Sequence, residues 1–167
     1  MSWSSLGEAF VHVVSSPFQD LSVLWTLVPL FLMWLLLEVY FIHWDEDLGW
    51  NSALANSVTL FWVSATGLQV LFADGFSWAK FIVLFLMVVY AGSILVIVFK
   101  HAVREQFAYI IASPIFIYYL SIILTLWVHD ALIFSWWVLL VIILIYLFFL
   151  TIDLSLKKWM KKEKTHM

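Results

Sequence analysis

Few side chains in this sequence can do chemistry, and most of those stand inside long apolar runs. Glu38 is the clearest case, set within LLLEVYF. A carboxylate in hydrocarbon costs on the order of 3 kcal/mol, so it is expected to face a partner or a pathway rather than lipid. A carboxyl group so placed can take up and release a proton. Asp45 follows seven residues later on the same helical face, and Asn56 enters the next apolar run at a matching depth. Asn56 is therefore the expected hydrogen-bond partner of Glu38. Ser52, Asn56, Thr59 and Thr66 recur at helical spacing and form one stripe. Pro114, Tyr118, Ser121, Thr125 and His129 form a second, with Asp130 next to its last member.

Two kinds of work follow from these stripes. In the first, Glu38, Asn56, Thr59, Tyr118, Ser121, Thr125 and His129 line the pathway of a small cation or proton channel or transporter, with Glu38 as the ion-handling group. In the second, the same hydroxyls and amides bond neighbouring helices, and the protein is a non-catalytic accessory or assembly subunit of a larger membrane complex. The turn HWDED adds His43, Asp45, Glu46 and Asp47, a donor set suited to a divalent cation, although its spacing matches no calcium loop or zinc signature. Enzymatic chemistry is disfavoured. Glu38 and His43 project about 140° apart on an ideal helix. His129 and Asp130 sit at a helix end without an implied nucleophile or oxyanion donor. The sequence has no cysteine, which excludes disulfides and thiol catalysis.

The elements that must hold these residues follow from composition. Hydrophobic residues make up 65% of the 167, charged residues 11%, and the mean hydropathy is +1.06. Such values imply an all-α integral membrane protein. The expected architecture is a bundle of five transmembrane helices, over about 21–44, 51–72, 80–99, 107–128 and 132–152, preceded by a short amphipathic interfacial helix over 1–16. The transmembrane domain then occupies 17–156, and 157–167 is a basic cytoplasmic tail. The expected partners are the lipid bilayer and either further copies of the chain or other membrane subunits. Nucleic acid is not expected.

Lys157, Lys158, Lys161, Lys162, Lys164, Lys100 and Arg104 fall on one side of this arrangement, and Lys80 alone on the other. The positive-inside rule then places the protein in the cell membrane with its C-terminus in the cytoplasm and its N-terminus outside. In the first segment Trp3, Leu6, Phe10, Val13, Val14 and Pro17 define an apolar face, with Ser4, Ser5, Glu8, His12 and Ser15 opposite. Ser16, Pro17 and Gln19 read as the start of the next helix. Pro29 and Pro114 are expected to kink the first and fourth spans. Tryptophans gather near the span ends, as in an interfacial belt.

Overall fold

In a computed structural model, the structure describes residues 5–19, 21–44 and 50–164, leaving aside side chains at 22, 35–44, 105, 106, 109, 153, 154 and 156–164. Among the described residues the fold is all-helical: α1 (Leu6–Ser15), α2 (Leu21–Trp44), α3 (Trp50–Asp74), α4 (Trp78–Phe99), α5 (Glu105–Ile111), α6 (Pro114–Val128) and α7 (Trp136–Lys164). Each of the five apolar runs is helical, but the fourth is in two pieces. Pro114 lacks the N–H that would continue a helix from α5, so the chain breaks at Ala112 and Ser113 and restarts with the proline in the first turn of α6. A break replaces the expected kink. Ser16–Phe18 forms a single 3-10 turn, and α2 begins later, at Leu21.

Among the described residues, α3 and α4 are long and apolar enough to cross a membrane. The described apolar stretches of α2, α6 and α7 are shorter.

The helices divide into two compact units, one made of α1 and α7 and the other of α2 to α6. In the larger unit α3 is central, packing against α4, α5 and α6, while α2 lies against α6. Its interior is built in layers. Ala53, Ile94, Val98, Ala108 and Ala112 join α3, α4 and α5, and Leu60, Ala91, Ile117 and Leu124 join α3, α4 and α6. Leu71, Leu84 and Val128 close the far end. Gly67 permits the close approach there: a Cβ at this position would lie 2.9 Å from Cδ2 of Leu84 and 3.5 Å from Cγ2 of Val128. Outward-facing Phe61, Trp62, Ile82, Phe85 and Leu86 are exposed, as lipid-facing side chains would be.

In the smaller unit, Ser5 opens α1 by accepting a hydrogen bond from the Glu8 N–H at 3.3 Å. Ser135 opens α7 in the same way through the Val138 N–H, also at 3.3 Å. Ala9, His12 and Val13 are the buried residues of α1. His12 therefore lies on the packed face, not on the polar outer face its chemistry suggests. Leu6, Phe10 and Val14 are exposed instead.

Candidate functional site

The polar stripes of α3 and α6 are brought together, because the two helices pack side by side in the same direction. Near the start of the seam, Asn56 is fully buried and its Nδ2 donates to the Ala112 carbonyl at 2.7 Å and to Ser52 Oγ at 3.3 Å. Tyr90 on α4 donates its phenolic hydrogen to the carbonyl of Ile111 at 2.5 Å. Both carbonyls were released by the break before Pro114, and both are answered from neighbouring helices. The Asn56 amide nitrogen is thus committed to the end of α5 and to Ser52. Glu38 lies on the backbone of α2, with its side chain outside the described residues. The side chain of His43 and the whole of Asp45, Glu46 and Asp47 also lie outside the described residues, and among the described residues no three histidine or acidic side chains gather to hold a metal ion.

Midway along the seam, Tyr118 is fully buried and stacks on Trp34 of α2, with ring centroids 6.4 Å apart and planes inclined by 12°. Ser121 is fully buried and Thr125 nearly so, and the Thr125 hydroxyl donates back to the Ser121 carbonyl at 2.9 Å. Thr59 is half-buried and donates to its own helix, at the Ala55 carbonyl. Three buried polar atoms on α3 and α6 have no hydrogen-bond partner among the described residues: Asn56 Oδ1, Ser64 Oγ and Ser121 Oγ. Unspent hydrogen-bonding capacity of this kind is uncommon in a folded interior and calls for a reason.

At its far end the seam opens into a crevice lined by Thr26, Thr66, Gly67, Leu124, Thr125 and His129. The space suits about one water molecule. Comparison with protein-family models, with curated proteins and with solved structures finds no match. Function is therefore read from the geometry itself.

The crevice sits beneath the C-terminal end of α6. That helix closes through a pair of backbone bonds, Asp130 N–H to the Trp127 carbonyl at 3.1 Å and Ala131 N–H to the Leu126 carbonyl at 3.0 Å. The closure places Asp130 at φ 56°, a left-handed conformation that glycine usually occupies. Lys80 secures it. Its Nζ donates to the Asp130 carboxylate at 2.7 Å and to the Val128 carbonyl at 3.1 Å. The ammonium lies among the last carbonyls of α6, where the helix dipole favours a cation. In the sequence Lys80 stands out only as the lone cation of its side, and nothing in its neighbours along the chain marks it as the cap of a helix whose last carbonyls lie 48 residues away.

Of the pathway residues of the sequence reading, Asn56, Thr59, Tyr118, Ser121, Thr125 and His129 lie along α3 and α6, and the side chain of Glu38 lies outside the described residues. Asn56, Tyr90 and Lys80 secure carbonyls at helix ends, Thr66 and Thr125 donate to carbonyls of their own helices, and Ser64 Oγ and Ser121 Oγ are buried without a partner among the described residues.

Proposed function

We propose that the chain is a five-span integral membrane protein that conducts protons, with Glu38 as its intramembrane ion-handling group. The spans are 21–44, 51–72, 80–99, 107–128 and 132–152, with the N-terminus outside and the C-terminus in the cytoplasm. The observation that carries this reading is the unspent hydrogen-bonding capacity of the seam: Asn56 Oδ1, Ser64 Oγ and Ser121 Oγ, with the His129 crevice at its far end. A proton moves by exchange along hydrogen bonds and needs no room for a hydration shell. A crevice that suits about one water is compatible with that traffic and too tight for a hydrated metal cation. A cation route would instead run along the axis of a homo-oligomer.

A second reading, an accessory or assembly subunit of a larger membrane complex, is favoured by a different observation. Asn56 and Tyr90 are spent on bracing the broken helix, as interhelical bonding side chains are in structural membrane proteins. The deciding experiment is proton flux in proteoliposomes, comparing the wild type with Glu38→Gln. Wild-type flux that falls in the variant, with yield and folding unchanged, supports conduction. A wild-type protein that passes no protons moves the assignment to the accessory subunit.

A further inference from the structure

The turn between α3 and α4 gathers aromatic rings that the seam does not use. Its sequence is FADGFSWAKF, residues 72–81. Gly75 stands at φ 140°, a region open to glycine, and the chain turns there so that Phe76 lies back on Phe72, with ring centroids 5.8 Å apart. Phe76 meets Trp78 edge to face at 4.9 Å. Phe81 contacts Phe72 at 6.2 Å, Phe76 at 5.6 Å and Trp78 at 6.0 Å, and stacks on Phe85 at 6.1 Å. Rings at such separations touch one another, so the cluster fills its own interior and offers a surface instead of a slot for an inserted side chain. That surface is open: Phe72 is 65% exposed and Trp78 70%.

The surroundings of the cluster decide what covers it. The two helices it joins are long and apolar enough to cross a membrane, and only residues 75–77 separate them, so both end at one level. Deeper along them large apolar side chains are exposed, Phe61 and Trp62 on α3 and Ile82 and Leu86 on α4. At the tip, Asp74 ends α3 as an exposed residue, and Asp130 nearby is 83% exposed. Lys80, the basic side chain of the turn, reaches away to the end of α6. The order along the helices is thus apolar, aromatic and then carboxylate, which is the order of polarity from the core of a bilayer to water.

We infer that the α3–α4 turn is a membrane anchor, with its ring cluster seated in the headgroup–acyl boundary of the bilayer and Asp74 in water. The rings fix the level at which the two helices ride. Gly67 of the crevice lies seven residues before Asp74 on α3, about 10 Å deeper by the helical rise, so the anchor also sets the depth of the crevice. The inference rests on α3 and α4 spanning a bilayer, which belongs to the reading above, and is independent of proton conduction.

The sequence has no cysteine, so single nitroxide labels report depth directly. In the full chain in phosphatidylcholine nanodiscs, labels on Asp74→Cys, Ala79→Cys and Leu86→Cys are compared for collision with oxygen, which enters lipid, and with a water-soluble nickel chelate. All three positions are exposed, and none is a ring of the cluster. Leu86 is expected to meet oxygen and not nickel, Asp74 to meet nickel, and Ala79 to fall between them. An Ala79 label as open to nickel as Asp74, with Leu86 still in lipid, overturns the anchor and leaves the spans intact. Nickel contact at Leu86 overturns the spans and the anchor with them. Adding Phe76→Ser and Trp78→Ser is expected to shift the Ala79 label toward the Asp74 value, and an unchanged depth refutes the role of the rings. Should that variant fold poorly, the Trp78 indole N–H of the unsubstituted chain decides: relaxation by a headgroup spin label with shielding from an aqueous gadolinium chelate supports the anchor, and the reverse refutes it.

Discussion

The two ends of α6 solve one problem with different chemistry. At the N-terminal side, the break before Pro114 leaves the carbonyls of Ile111 and Ala112 without helical donors, and a phenol and an amide answer them. At the C-terminal side, the Val128 carbonyl is answered by the ammonium of Lys80, whose charge is balanced by Asp130. Burial explains the choice. Asn56 is wholly enclosed, where a charge would lose its hydration at a cost of several kcal/mol, so neutral donors are used there. Asp130 is 83% exposed, and an ion pair at such an edge keeps much of its solvation while Lys80 reaches inward. The enclosed end is therefore secured by geometry and the open end by charge.

The comparison can be broken most sharply at its enclosed end. Asn56→Leu leaves the Ala112 carbonyl buried and unanswered and is expected to cost about 1–2 kcal/mol, read as a lower melting temperature in detergent that added salt does not restore. Tyr90→Phe removes one neutral bond at the same break and is expected to cost somewhat less, about 1 kcal/mol. A loss equal to or larger than that of Asn56→Leu would show that the phenol, not the amide, carries the brace. At the open end, Lys80→Met is expected to cost about 0.5–1 kcal/mol, and the gap from wild type should shrink as ionic strength rises. A salt-independent gap would remove the distinction drawn between the two ends.

The sequence exposed the apolar segments because charges are confined to a few turns, and a helix rich in Leu, Ile and Val with few polar interruptions has little alternative in a low-dielectric setting. The break within the fourth segment was less legible. Proline removes one donor wherever it stands, but whether the chain bends or parts depends on who answers the freed carbonyls. Here the answers come from residues 56 and 21 positions away. Asn56 itself was recognised as an interior polar residue, yet its donor goes to Ala112 and Ser52, because only the packing of α5 against α3 brings that carbonyl into reach. His12 illustrates the opposite limit. A helical projection sorts it with the polar face, whereas it is buried by the packing of α1 against α7, a segment more than 120 residues downstream. The grouping of Tyr118, Ser121, Thr125 and His129 on one face was legible, since helical periodicity alone sets it.

The length of α6 has a consequence of its own. Its 15 residues rise about 22 Å, against a bilayer core of about 30 Å. On the five-span reading the shortfall falls to α5, across the break held by Asn56 and Tyr90. Lipids with longer acyl chains would draw the two pieces apart and shorter ones would relax them, so the joint becomes the part of the molecule that feels membrane thickness.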